Sequence, residues 1–272
     1  MGSRASWSLT PIGIDIGGSK WLVATIRGDG AIEVLARGDS TAAPVRCLTA
    51  LASALEPAHA TSPCAIVCAF AGSVDSSGRV LRWPNRPSWE GFPFVEQFTN
   101  LTGRHVRVED DGICAGYGEL SFKTIPESRR FLCLSLGTGV ASGVFMGGRA
   151  QRSQRASSFS LGHVRVGGRH TCSCGRKGCL QAEVQAVAVG GDGDRLVRVA
   201  QTVADIAALL DLDDVVLTGG LLQDDRLRSV LEPKLRRECG ALSVRVVVSP
   251  CPELSAIAGA VALAAYPPDA RC

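Results

Sequence analysis

Pro11-Ile-Gly-Ile-Asp-Ile-Gly-Gly-Ser-Lys20, followed by the apolar run Trp21 to Ile26, reads as strand, glycine turn, strand. Asp15 sits at the end of the first strand. Gly17, Gly18 and Ser19 can offer backbone N–H groups and a hydroxyl to an anion. Gly-Gly alone would be an ordinary hairpin turn; the Asp-x-Gly-Gly-Ser-Lys string after a strand is more specific. The same make of turn returns in Phe131 to Gly147, with Leu136-Gly-Thr-Gly139 at its tip. Two such hairpins about 120 residues apart suggest a duplicated α/β architecture.

Behind the second hairpin lies a denser signal, Gly162-His163 and then Cys172-Ser-Cys-Gly-Arg-Lys-Gly-Cys179. Three thiolates and an imidazole are the ligand set of a closed tetrahedral zinc site. A disulfide would leave one of three cysteines unpaired, and Cys172 and Cys174 are too close for an easy bridge. His163, Cys172, Cys174 and Cys179 are therefore expected to hold a structural zinc ion. His170 is a rival nitrogen donor, read as a solvated loop histidine.

The remaining chain supplies alternating strands and helices. Strands are expected at Ala31 to Ala36, Ala65 to Phe70, His105 to Val108, Val215 to Leu217 and Ser243 to Val248. Helices are expected at Ala43 to Pro57, Gly112 to Leu120, Leu180 to Val189, Leu196 to Leu210, Asp224 to Arg237 and Glu253 to Ala264. A proline-rich loop, Trp83-Pro-Asn-Arg-Pro-Ser-Trp89, carries Asn85 between two indoles and could hold a polyol by hydrogen bonding and ring stacking. Glu109-Asp110-Asp111 ends a strand and starts a helix, where a carboxylate serves as an N-cap or as an active-site base.

Apolar residues make up 46 % of the 272, enough for a substantial core, and the formal charge is only +3. No basic run with interleaved aromatics suggests a nucleic-acid partner. No apolar run reaches membrane-spanning length, and Met1 to Thr10 has no secretory core. The eleven cysteines outside and inside the cluster do not form a regular framework. Those outside it fit buried thiols in a reducing, cytoplasmic setting.

Taken together, these strings resemble the ROK family of sugar kinases and repressors. Asp15-Ile-Gly-Gly-Ser-Lys20, Pro84-Asn85, Val108-Glu-Asp-Asp111, Leu136-Gly-Thr-Gly139 and the Gly162-His163 cysteine cluster occur in family order. Leu217-Thr-Gly-Gly220 and Gly259-Ala260 extend the match to the C-terminal end. The resemblance implies an α/β, two-lobed actin/hexokinase-like ATPase fold with a zinc-binding loop. Residues 1–108 would form one lobe, completed by 253–272, and residues 109–252 the other.

The resemblance also assigns roles. Asp111 would be the general base that takes the proton from the sugar hydroxyl. Asp15 would orient hydrated Mg²⁺, and Gly17, Gly18, Ser19, Lys20, Gly137, Thr138 and Gly139 would cradle the phosphates of ATP. Gly219 and Gly220 would pass beneath the adenosine. Gly72, Asn85, Asp110, Ser160, His163 and Gln181 would face the sugar, with His163 also binding zinc. Polyphosphate is the alternative phosphoryl donor. A homodimer is compatible with the family, whose dimer surface and nucleotide wall come from the segment between Gln181 and Val215, shorter here than usual.

Four positions depart from the family pattern. Asp110 replaces an Asn, Ser160 and Gln181 replace Glu residues, and Ala71 replaces a Pro. An Asn donates and accepts, whereas an ionised Asp only accepts. Adjacent carboxylates raise each other's pKa unless a cation joins them. A substrate ammonium at C3 would supply that cation. The expected reaction is therefore ATP-dependent phosphorylation of the 6-hydroxyl of an aminohexose such as kanosamine, with glucose as the alternative. The alternative of another class is a non-catalytic sugar-sensing regulator. Such regulators carry a helix-turn-helix before the first glycine motif, which here begins by Ile12, and the intact Asp15, Asp111 and hairpins favour catalysis.

Overall fold

The computed structural model describes residues 11–56, 66–152, 160–190 and 193–265. Cys64, Cys272, the expected ends at Pro57 and Ala65, and residues 266–272 of the segment expected to complete the first lobe lie outside the described residues.

Two five-stranded sheets share one plan. The first comprises β1 (Ile12–Ile16), β2 (Lys20–Ile26), β3 (Ile32–Asp39), β4 (Ile66–Phe70) and β7 (Val106–Asp110), in the order β3-β2-β1-β4-β7. The second comprises β8 (Phe131–Leu136), β9 (Val140–Met146), β10 (Arg149–Ala150), β11 (Asp214–Thr218) and β12 (Arg245–Val248), in the order β10-β9-β8-β11-β12. Each opens with antiparallel pairs and continues with parallel ones. A small hairpin, β5 (Ser73–Val74) and β6 (Val80–Arg82), stands apart. The expected lobe division at 108/109 falls inside β7.

Side chains alternate between two buried faces, as parallel strands covered on both sides require. Ile12, Ile14, Ile16, Cys68 and Phe70 pack outward against Leu48 and Leu51 of α1 (Pro44–Leu55) and the Phe94 and Phe98 side chains of α2 (Phe94–Thr102). Leu132, Leu134, Leu136, Val215 and Leu217 do the same in the second sheet. They pack against α4 (Leu180–Ala188), α5 (Leu196–Leu209) and α6 (Asp225–Gly240).

Between the sheets run α3 (Asp111–Ser121), which follows β7, and α7 (Ser255–Ala265), which follows β12. Ile113 and Ala115 of α3 pack with Phe131, Cys133 and Phe145 of the second sheet. Ile257 and Val261 of α7 pack with Leu22 and Ala24 of the first. The two helices meet almost backbone to backbone. A Cβ at Gly259 would fall 1.7 Å from the Cys114 carbonyl oxygen, and one at Gly118 2.0 Å from that of Ser255. Only glycine permits this approach, and the approach sets the distance between the sheets.

The structure extends some sequence expectations and adds elements, among them the edge strand β10 and the helix α2. β3 runs three residues further than the apolar alternation suggests, to Asp39. α2 has no counterpart in the sequence reading; it is nine residues long, starts after Pro93 without a side-chain cap, and is fixed by burial of Phe94 and Phe98. Cys47, Cys68, Cys114, Cys133 and Cys239 are buried free thiols as expected, while Cys251 is half-buried.

Candidate active site

Both glycine hairpins, the proline loop and the start of α3 open into one cleft of about 540 Å³. Its wall includes Asp15, Gly17, Gly18, Ser19, Lys20, Asn85, Asp110, Asp111, Gly137, Thr138, Gly139, Ser160, His163, Gln181, Gly219 and Gly220. Of the expected cleft residues only Gly72 is not part of that wall. It packs against Phe70, Arg82 and Trp83, and its neighbour Ala71 lines the cleft instead.

The carboxylates gather where β1 and β7 end. Asp110 is the N-cap of α3, its Oδ1 accepting from the Gly112 and Ile113 N–H groups at 2.9 and 3.1 Å. Asp111 is the first residue of the helix and accepts from Gly112 N–H at 3.0 Å. Burial, then the charges of Asp110 and Asp15, push the Asp111 carboxyl well above the usual carboxylate range. Burial likewise raises Asp15 to about 7, with Lys20 pulling the other way. Once ionised, a carboxyl of raised pKa lining a cleft is a stronger proton acceptor than an ordinary carboxylate. Glu109 beside them is buried and paired with Arg152 at 2.8 and 2.7 Å and with Arg107 at 3.3 Å.

The hairpin tips face each other. A Cβ on Gly18 would lie 2.9 Å from Thr138 Oγ1. Within the turns, Gly17 N–H is not offered to the cleft as expected. It donates to the Lys20 carbonyl at 3.0 Å, and Gly137 N–H donates to Gly139 O at 2.8 Å. Among the described residues, no protein acceptor takes the N–H of Gly18 or Ser19, and these remain for an anion. Gly219, at φ +97°, brings the third glycine turn against β8; a Cβ there would sit 2.3 Å from Leu136 O.

The indoles flanking Asn85 do not form a stacking platform. Trp83 and Trp89 are fully buried and pack edge-on to each other and around Phe70 and Phe94. Asn85 reaches the cleft beside Gly139; Pro84 and the buried Trp83 back the same wall, and Trp89 is not part of it. Arg86, which the sequence reading passed over, donates through Nε to the Gly18 carbonyl at 2.8 Å and so ties this loop to the first hairpin.

His163, Cys172, Cys174 and Cys179 converge behind the cleft with all four donor atoms within 4.8 Å of one another. His163 Nδ1 is 3.6 Å from Cys172 Sγ, and the Cys174 and Cys179 sulfurs are 3.6 Å apart. A tetrahedral ion with Zn–S bonds of about 2.3 Å places its donors about 3.8 Å apart, so the set fits zinc. The separation is far from a disulfide bond. His170 is outside this group: its Nδ1 lies 2.9 Å from Oε2 of the buried Glu183, so it is a half-buried, partnered residue rather than a solvated one. His163 both faces the cluster and lines the cleft.

A profile of the ROK family matches residues 11–190. The chain belongs to the ROK family. It is 29 % identical to a glucokinase of Streptomyces coelicolor over 172 residues, 62 % of this chain and 54 % of that protein. It is 32 % identical to a kanosamine kinase of Amycolatopsis mediterranei over 177 residues, 63 % of this chain and 57 % of that one. The chain thus spans about half the length of these curated relatives. In fold it is similar to a ROK glucokinase from Streptomyces griseus solved with glucose and AMPPNP, at a TM-score of 0.77, 22 % identity, and coverage of 94 % of this chain and 99 % of that one. The sheet plan described above is thus the two-lobed ROK fold. Among the described residues no helix is long and apolar enough to cross a membrane.

Proposed function

We propose that this ROK chain is an ATP-dependent sugar kinase acting on the 6-hydroxyl of a hexose, with Asp111 as general base. The observation that carries the reading is the position of Asp111, a buried carboxyl of raised pKa in a cleft it shares with two facing glycine hairpins. Phosphoryl transfer needs little more from a protein than positioned phosphates, neutralised charge and a base for the acceptor hydroxyl. The free N–H groups of Gly18 and Ser19 and the ammonium of Lys20 supply the first. Magnesium held through Asp15 would spread the charge of the phosphates. The His163 and cysteine set fits zinc, which when bound fixes the direction of the His163 ring toward the sugar. The relatives named as kinases support the reaction class. Asp111→Asn is expected to keep nucleotide and sugar binding and to lower kcat by roughly 10²–10⁴-fold; near-wild-type turnover would remove Asp111 from the mechanism.

For the substrate, Asp110 in the cleft wall supports an aminohexose such as kanosamine. At ~4 Å and an effective dielectric of about 20, an ammonium would gain on the order of 4 kcal/mol before desolvation. A third of that favours the amino sugar about tenfold. One observation favours the second reading, glucose. Asp110 caps α3, so the helix N-terminus already offsets part of its charge. The discriminating comparison is kcat/KM for kanosamine and glucose in wild type and Asp110→Asn. A preference for kanosamine that shifts toward glucose in the variant supports the first; equal preference in the wild type supports the second.

A further inference from the structure

The helix that begins at the cysteine cluster also reaches the second hairpin. Cys179 is the N-cap residue of α4, and two glutamines follow on its first turns. Gln181 is 5 % exposed. Its Oε1 accepts from the Val140 N–H at 3.0 Å, and its Nε2 donates to Ser173 Oγ at 3.2 Å. The orientation of the amide is fixed by chemistry, because only the oxygen can serve Val140. Ser173 itself lies between the metal-ligand cysteines 172 and 174. One helical turn further on, Gln185 Nε2 donates to the Thr138 carbonyl.

The two side chains therefore grip the hairpin backbone on both sides of Gly139. That glycine leaves them room, since a Cβ there would approach Gln181 Oε1 to 3.2 Å. Among the described residues, the first hairpin has no such link to the cluster. Its carbonyls are taken by Ser40 Oγ, at 2.6 Å from Gly17 O, and by Arg86. Gln181 lines the cleft as the sequence leads one to expect, and its amide also ties the hairpin to the metal-type loop.

We propose that Gln181 and Gln185 are positioning residues that hold the second phosphate hairpin in its nucleotide-ready form, so that metal occupancy of the His163–Cys179 cluster sets nucleotide affinity. The proposal rests on reading Gly137–Gly139 as a phosphate hairpin. Cys172, Cys174 and Cys179 would be held by a bound metal, which would fix the 172–174 turn with Ser173 and the start of α4; the glutamines would carry that order to Thr138 and Val140. Buried hydrogen bonds of this kind transmit position because each partner has few alternatives.

The test measures affinity without turnover. Mg²⁺–AMPPNP is titrated calorimetrically into zinc-loaded and chelator-stripped protein, for wild type and a Gln181→Ala/Gln185→Ala variant, with no sugar present. Backbone amide exchange is followed at Val140 in wild type, Gln181→Ala and Gln181→Glu. The zinc-loaded double variant should bind about tenfold more weakly than wild type, the worth of two modest hydrogen bonds. Stripping zinc should cost wild type a similar factor and the variant less than about twofold more, the signature of a shared linkage. Val140 exchange should quicken in Gln181→Ala and stay slow in Gln181→Glu, whose carboxylate can still accept. The proposal is overturned if the zinc-loaded double variant binds as wild type does. It is equally overturned if stripping weakens both proteins by the same factor. Should wild type bind no nucleotide, the kinase reading falls, and Val140 exchange alone decides the clamp: unchanged exchange in Gln181→Ala overturns it. If stripped protein unfolds, the zinc-loaded comparisons decide.

Discussion

The hairpin at Gly17–Lys20 and the hairpin at Gly137–Gly139 occupy equivalent places in two sheets of the same strand order, yet different parts of the chain secure them. The first is tied by Ser40, just past the end of β3, and by Arg86 of the proline loop. The second is tied to a helix that starts at a metal-ligand cluster. Their chemistry differs too. Two residues before each turn glycine stands Asp15 in the first and Ser135 in the second, and both line the cleft. A duplicated frame thus places two glycine turns face to face with different residues at equivalent places, and under the proposed function the labour is divided between them.

That division can be broken directly. Asp15→Ala should lower kcat by roughly 10²-fold or more, the scale of one lost electrostatic contact in a phosphoryl-transfer site. Ser135→Ala should stay within about threefold of wild type. Equal losses in steady-state turnover would mean that the hairpins are interchangeable.

The metal side of the comparison predicts the next effect. Cys174→Ser should lose its zinc and weaken sugar binding by roughly 10–100-fold, because His163 is no longer held. Metal analysis and sugar titration read both quantities. Protein without zinc but with full sugar affinity would separate the cluster from the cleft.

The smallest effects are in pH dependence, and their signs differ between the cleft and the outer edge. Asp15 is raised to about 7 by burial. In ligand-free protein its folded pKa exceeds the unfolded value of 3.8, so the folded state holds the extra proton. Its contribution is complete below about pH 4 and is lost as pH climbs through 7. Asp213, just before β11, is pulled down to about 2 by its hydrogen bonds from Arg130. Its contribution is present above about pH 4 and is lost as pH falls toward 2. Comparing Tm against pH for wild type, Asp15→Asn and Asp213→Asn should flatten the first slope in one variant and the second in the other. The Asp213 effect should be about 1 kcal/mol or less for so exposed a pair. A variant that leaves both slopes intact would refute the assignment for that residue.

What could be read from the sequence was local. The strand–glycine–strand turns, the four metal-type donors and the carboxylates at a strand–helix junction lie within a few residues of one another, so spacing alone exposed them. Contacts made by distant residues were not legible. Arg86 meets Gly18, and Gln181 and Gln185 meet Val140 and Thr138, only after folding. Trp83 and Trp89 sit in a loop of prolines and polar residues that looks like surface. Phe70, Phe94 and Phe98, the last two on a short helix without a cap signal, draw them into the core. His170 resembled a spare metal donor because its buried partner, Glu183, is thirteen residues away.

The proposed reaction is sugar-dependent phosphoryl transfer to a 6-hydroxyl. ADP release from Mg²⁺–ATP, measured across hexoses, aminohexoses and their 6-deoxy analogues, tests it most directly. At least one hexose or aminohexose is expected to drive ADP release, and its 6-deoxy analogue is expected not to. Nucleotide binding with no hexose or aminohexose raising ADP release above the Asp111→Asn background, or full release with the 6-deoxy sugar, would contradict it.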